Sequence, residues 1–178
     1  MKRLFSSAMV TALVALSAQS ASAQATMFLS AGASIPMSDF ADAVSVGWMA
    51  QAGVAFPIGS PGLAAGVGGL YGSNGHDIDG DRTYLLGGAA FLQYTIGDPA
   101  STSGYVFAGP GYVQSSFKSD TSPEGSVSGL AASGGAGVNI PIGGLTGYVE
   151  GMYLTGFGDI DGLDVVVASV GISFLLNP

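Results

Sequence analysis

The 178-residue sequence contains no cysteine, a single histidine and very few charged residues. Charged side chains make up 9% of it, and only four residues are basic, whereas an average soluble domain is roughly 25% charged. Without cysteine there is no disulfide framework, thiolate metal site or cysteine nucleophile. The shortage of lysine and arginine excludes the basic patches that bind nucleic acid or anionic lipid.

Long helical apolar segments are also missing, although 48% of the residues are hydrophobic and the mean hydropathy is +0.49. Residues 43–75 and 125–149 carry no charge, but glycine and proline interrupt both stretches. These residues cost a helix about 1 and 3 kcal/mol each. With 30 glycines, the composition fits neither a water-soluble globule nor a helical membrane protein.

Residues 1–23 differ from the rest of the chain. Lys2 and Arg3 precede an apolar run over residues 8–18, and residues 21–23 have the small-x-small pattern that signal peptidase requires. A run of about 11 apolar residues is too short to span a bilayer as a helix. We therefore expect residues 1–23 to be a cleaved signal peptide and residues 24–178 to form one exported domain, with all 12 acids against Arg82 and Lys118.

Alternation of apolar with small or polar residues predicts β-strands. Every second residue is apolar in 46–58, 84–96, 130–142 and 166–174. Four weaker candidates lie at 26–35, 63–72, 104–116 and 147–156; in 104–116 the facing is unclear, and Pro110 lacks a ladder N–H. The longest alternations exceed the usual 5–6 residues of soluble strands and suit tilted strands that cross a membrane.

The connections between these eight strands alternate in length and charge. Those at 57–62, 96–104 and 141–147 are short and almost uncharged, whereas the four longer ones hold every acid except Asp98 and Glu150. Membrane barrels with an even strand number have short turns on one side and longer loops on the other. In hydrocarbon every backbone group must be paired, so the sheet must close.

The sequence therefore predicts an all-β fold, an eight-stranded antiparallel up-and-down transmembrane β-barrel with acidic extracellular loops. The alternative is a closed soluble ligand-binding barrel, in which Trp48, Tyr84 and Phe174 would line a cavity. In the membrane interpretation, aromatic side chains form girdles at the two interfaces. The candidates are Phe56, Tyr94, Tyr105 and Phe174 near the short turns, and Trp48, Tyr71, Tyr84 and Tyr153 near the acidic loops.

Two segments carry a resemblance to a known family: residues 105–112 (YVFAGPGY), and the last strand with Ser169, Gly171, Phe174 and Leu176. With the alternating strands, they make residues 24–178 resemble the small eight-stranded outer-membrane β-barrels of Gram-negative bacteria, of the OmpA/OmpX type and the OmpW-like superfamily. The last strand looks like the signal that the outer-membrane assembly machinery recognises. It departs from the family pattern because Asn177 and Pro178 follow it.

The resemblance implies an outer-membrane location in the cell envelope, surrounding membrane lipid and a monomeric state. We expect neither a cofactor nor a nucleic-acid partner. The leading functional hypothesis is a structural or surface-interaction role. A porin-like narrow channel for small or apolar solutes is the alternative.

Polar residues at inward positions define a candidate lumen. An eight-stranded barrel is filled by side chains or holds one small ligand, and the alternation directs Gln51, Gln93, Asn139 and Glu150 inward. An unpaired buried carboxylate is costly, and neither basic residue lies mid-strand. Glu150 is therefore either a gate or proton site in a water-filled lumen, or a carboxyl bonded to Gln or Tyr neighbours.

Two acidic loops are weak candidates for calcium. Carboxylates at alternate positions can converge on Ca²⁺, but the EF-hand pattern is absent, and solvated turn-forming loops are the alternative. The candidates are Asp77, Asp79, Asp81, Asp159, Asp161 and Asp164.

A lipid-modifying enzyme is the remaining functional alternative. It would use His76 with Ser73. Residues so close together on one loop rarely hold a base and a nucleophile within hydrogen-bond reach, and we expect no enzymatic activity.

Overall fold

A computed structural model describes residues 24–78, 80–98, 100–119 and 123–176, so the predicted signal peptide lies outside the described residues. Eight strands form a closed antiparallel barrel in which each strand pairs with the next and β8 pairs with β1. The strands are β1 (Ala25–Met37), β2 (Gly47–Pro57), β3 (Leu63–Gly75), β4 (Arg82–Ile96), β5 (Ser103–Lys118), β6 (Gly125–Ile142), β7 (Leu145–Gly156) and β8 (Asp164–Leu176).

The predicted all-β barrel is confirmed, and all eight predicted strands are present. Most are a few residues longer than the alternation indicated because the ladders continue into polar segments, as in β6, which begins at Gly125 rather than near residue 130. Successive side chains point to opposite faces of a strand. The predicted apolar faces of β2, β4, β6 and β8 point away from the barrel axis, and their small and polar residues point inward.

The soluble-barrel alternative is wrong about the direction of its aromatic residues. Trp48 is 46% exposed and packs on the outside against Tyr71, which stacks in turn on Tyr84. Phe174 pairs with Met27, on the outward face of β8. Trp48 and Tyr84 therefore do not line a cavity as that alternative required, whereas Phe174, at the turn end of β8, is among the residues that line the turn-side interior cavity.

β5 is the strand whose inward and outward faces could not be assigned from the sequence. Tyr105 and Phe107 point inward and Val106 and Tyr112 outward, so both faces are apolar and the alternation gives no signal. The prediction that Tyr105 belongs to a girdle is therefore wrong. Pro110 pairs with Ala132 on β6, and the β4–β5 ladder is interrupted beside it.

The short connections have two to six residues, and the long ones contain two helical turns that the alternation did not predict. The β6–β7 turn consists of Gly143 and Gly144, and Gly143 has a φ of 64°, which glycine adopts without steric cost. Helix α1 (Ser38–Ala43) follows β1, and a 3-10 helix (Gly158–Ile160) precedes β8. In the described part of the chain, no helix is long and apolar enough to cross a membrane.

The hydrophobic core lies inside the barrel, in the half nearest the long loops. Ile160 and Leu163 come from the β7–β8 loop, and Phe40 of α1 packs against the same cluster. The remaining buried members are inward residues of the strands: Met49, Leu70, Leu85, Val113, Ala131, Met152, Leu154, Val165 and Val167. Side chains therefore close the barrel at its loop end.

Candidate functional site

The outer surface carries an apolar belt bounded by aromatic side chains. Trp48 and Phe56 mark its two edges on β2, and the nine residues from one to the other match the 9–11 that a tilted strand needs to cross a bilayer. Tyr112 is an exposed member of the aromatic girdle on the loop side, and no sequence pattern indicated this because β5 shows no alternation. Large apolar side chains between the rings are exposed: Leu29, Leu86, Leu92, Val106, Leu130, Val138, Val149 and Val170.

A buried polar network secures the loop end of the barrel. Asn74 on β3 is fully buried. It accepts a hydrogen bond from the Ser34 hydroxyl (3.0 Å) and donates to the carbonyls of Ser34 (3.2 Å) and Ser45 (2.9 Å). Asn74 therefore joins β1, β3 and the first loop. This role has no pattern in the sequence because its partners are distant along the chain.

The acidic candidates for calcium lie at the loop end, but the described ones do not converge. Asp81 is buried, Asp159 and Asp161 are exposed, and Asp164 accepts a hydrogen bond from the Tyr153 hydroxyl at 2.7 Å. Asp77 is exposed, whereas Asp79 lies outside the described residues. Over the described ranges, no three acidic, histidine or cysteine residues are grouped as a metal site would require.

His76 contacts residues other than the proposed nucleophile. Its Nε2 lies 2.8 Å from the Thr83 hydroxyl, and its ring packs edge-on against Phe117. The Ser73 hydroxyl is buried and has no hydrogen-bond partner within the described ranges. The structure therefore does not bring His76 and Ser73 together as a base and a nucleophile.

The turn-side half of the interior is a cavity of about 940 Å³. Leu70, Val113, Met152 and Leu154 of the core cluster form its closed end, and residues of the short turns, such as Gly62 and Gly144, surround its mouth. The cavity is thus blind toward the long loops and open toward the turns. Gln51, Gln93, Asn139 and Glu150 all line it.

Five aromatic rings form a nearly continuous wall of this cavity. Their centroids follow each other at 5.8–6.3 Å in the order Phe28, Phe91, Phe107, Tyr105 and Tyr148. Each ring lies over an inward glycine directly opposite it on a neighbouring strand. The glycines are, in the same order, Gly53, Gly66, Gly135, Gly137 and Gly171. Glycine therefore gives each ring room to lie against the wall and keeps the centre open.

Glu150 is the charged residue of the cavity wall. Its carboxylate accepts a hydrogen bond of 2.7 Å from the Tyr105 hydroxyl, as in the second of the two interpretations of this residue. Among the described residues the one ion pair is Lys118–Glu124, 3.8 Å long, near the loop end. The side-chain nitrogen of Gln51, which also lines the cavity, is buried and has no hydrogen-bond partner among the described residues. The cavity thus combines aromatic faces with one acid and an unused donor.

Comparison with solved structures gives the fold independent support. The barrel superposes on Neisserial surface protein A with a TM-score of 0.69 at 12% identity, over 86% of this chain and 97% of that one. For a major outer membrane protein from Thermus thermophilus, the TM-score is 0.65 at 12% identity, over 87% and 100%. For Ail, the attachment invasion locus protein of Yersinia pestis, it is 0.58 at 13% identity, over 86% and 99%.

These likenesses show that the chain has the fold of small eight-stranded outer-membrane β-barrels, as the resemblance in its sequence implied. No family model matches the sequence, and no curated protein matches it. At 12–13% identity the similarity concerns the fold alone.

Proposed function

We propose that the protein is an outer-membrane β-barrel with a structural or surface-interaction role, and that it presents its acidic loops outside the cell. The exposed apolar belt around the closed barrel carries this proposal. Apolar surface of this extent is unusual on soluble monomers, and a closed antiparallel barrel is one of two folds that can span hydrocarbon. Export through a cleaved signal peptide at residues 1–23 is part of the proposal.

The eight-strand topology supports the orientation that we propose. β1 begins and β8 ends on the side of the short turns, which we place in the periplasm, and we place the four acidic loops outside the cell. Two of the similar structures are a surface protein and an attachment invasion protein, which supports a surface role. The apolar cluster at the loop end supports a closed barrel rather than a channel.

The absence of cysteine makes this orientation directly testable. Three single-cysteine variants would be expressed in a Gram-negative host: Asp161→Cys in a long loop, Ser60→Cys in a short turn and Val170→Cys on the belt. With a membrane-impermeant maleimide, Asp161→Cys is labelled on intact cells and Ser60→Cys only after permeabilisation. Val170→Cys stays unlabelled in both conditions because lipid covers it. Labelling of Val170→Cys in a freely soluble periplasmic monomer would refute the membrane location.

Planar-bilayer recording separates the two functional hypotheses. A barrel closed by Met49, Leu85 and Val167 gives no conductance steps, whereas a hydrated channel gives discrete ones. Discrete steps would overturn the structural role in favour of the channel. Heat-modifiable migration in detergent gels verifies that the tested material is folded.

A further inference from the structure

We propose that the turn-side cavity binds a small organic cation, with an ammonium group held by Glu150 and the aromatic wall and an apolar body in the remaining space. This binding site is separate from the proposed surface role, because it lies at the opposite end of the barrel. It does not depend on which side of the membrane that end faces.

The size and shape of the cavity are those of a ligand site. Pockets for small molecules typically measure about 300–1,000 Å³ and are mostly apolar with a few placed polar groups. The cavity measures about 940 Å³ and is closed at one end by Leu70, Val113, Met152 and Leu154. A ligand therefore enters and leaves on the side of the short turns and does not pass through.

The charge of the cavity selects the class of ligand. Glu150 lines the cavity, and among the described residues no lysine or arginine lines it. Arg82 and Lys118 lie opposite each other in the β4–β5 ladder at the loop end, away from the cavity. A cation thus finds a complementary carboxylate within the cavity, whereas an anion finds no lysine or arginine side chain among the described lining residues.

The aromatic wall strengthens the same preference. An ammonium group within about 6 Å of a ring centroid is attracted by the face of the ring, more strongly when it is desolvated. Tyr105 and Tyr148 stand edge to face at 6.3 Å, and Phe107 lies 6.3 Å from Tyr105. Because one face of each ring covers a glycine, the other is turned toward the cavity. The hydrogen bond from Tyr105 fixes Glu150 beside these rings.

A matched pair of probes tests the proposal. Benzyltrimethylammonium and its uncharged isostere neopentylbenzene have nearly the same shape, and their binding to the detergent-purified protein can be followed by ligand-detected NMR. We expect the cation to bind at least tenfold more tightly than the isostere. Glu150→Gln keeps a hydrogen-bond acceptor for Tyr105. It should remove the preference for the cation and leave the affinity for the isostere unchanged. Glu124→Gln, in an acidic loop, is the control for attraction of the cation to the outer surface. It should leave the affinity for both probes unchanged.

Two further variants keep the test decisive if Glu150→Gln fails to fold. Tyr105→Phe retains the ring and the carboxylate but removes the hydrogen bond that fixes Glu150, and it weakens binding of the cation severalfold relative to the isostere. Phe107→Leu removes an aromatic ring but keeps an apolar side chain at this position. It lowers the affinity for the cation about threefold relative to that for the isostere. Heat-modifiable migration verifies the fold of each variant. The proposal is overturned if the wild type binds neither probe or binds both equally, if folded Glu150→Gln retains the preference, or if folded Tyr105→Phe and Phe107→Leu both retain it in full.

Discussion

Single glycines determine how the aromatic rings lie inside this barrel. At Gly137 an added Cβ would lie 2.5 Å from the Tyr105 ring, so the ring must move off the wall. We expect Gly137→Ala to lower the free energy of unfolding by about 1–3 kcal/mol, as overpacking does. Urea unfolding followed by the fluorescence of Trp48, the single tryptophan, measures it.

Gly151 provides the matched control. It is on the outward face of β7, where an added Cβ would meet no atom within 4 Å. Gly151→Ala should change the free energy of unfolding by less than about 0.5 kcal/mol. Equal effects of the two substitutions would contradict the ring–glycine contact as the cause.

Asn74 is a second position where one side chain affects the whole loop end. Asn74→Ala leaves the Ser34 hydroxyl and two carbonyls without their buried partner. Each unsatisfied group costs about 1–3 kcal/mol, and we expect a loss of at least that size in urea unfolding. Asn139→Ala removes an amide from the cavity wall instead and should have a much smaller effect. A loss as large for Asn139→Ala would show that the network at Asn74 is not the cause.

At the scale of the strand, the sequence predicted the direction of the side chains where apolar and polar residues alternate. The prediction failed where this alternation is absent. β2 and β4 present clearly different faces, so their positions and the inward direction of Gln51 and Gln93 could be read directly. β5 is apolar on both faces, and Tyr105 was misplaced as a result. The wall of the cavity could not be predicted because each ring–glycine pair, such as Phe107 and Gly135, joins two strands.

The last strand, β8, allows a test of the predicted assembly signal. Phe174 and Leu176 are on its outward face at the turn end, and β8 closes the barrel by pairing with β1 along its length. If the assembly machinery recognises this end, Phe174→Ala reduces the heat-modifiable fraction in the outer membrane severalfold. Its unaided refolding in detergent stays unchanged.

Ile172→Ala is the matched control for this test. Ile172 is on the same face of the same strand, two residues before Phe174, and it is not part of the predicted signal. Its substitution should leave assembly in cells unchanged. A parallel loss of refolding in Phe174→Ala would assign the effect to barrel stability rather than to recognition.

The whole molecule reverses the usual arrangement of a globular protein, because a broad apolar surface faces outward and a cavity with one acid lies inside. Its low charge is a consequence of this arrangement. Between the aromatic rings every strand is in contact with either the barrel interior or the proposed lipid, so charged residues remain mainly at the loops. The composition alone could indicate this division, but only the closed barrel shows which end is sealed.

The depth dependence of a charge on the outer surface tests this arrangement as a whole. Val170 is 64% exposed and lies midway between the rings, since its pairing partners are Ala31 and Val149. In a bilayer, Val170→Arg should lower the free energy of unfolding by about 2–4 kcal/mol, whereas Ser128→Arg, outward but near the loop end of β6, should cost about 0–1 kcal/mol. Urea titration in lipid vesicles measures both. Equal costs at the two depths would mean that the belt does not face hydrocarbon, because only a lipid environment penalises a charge according to its distance from the interface.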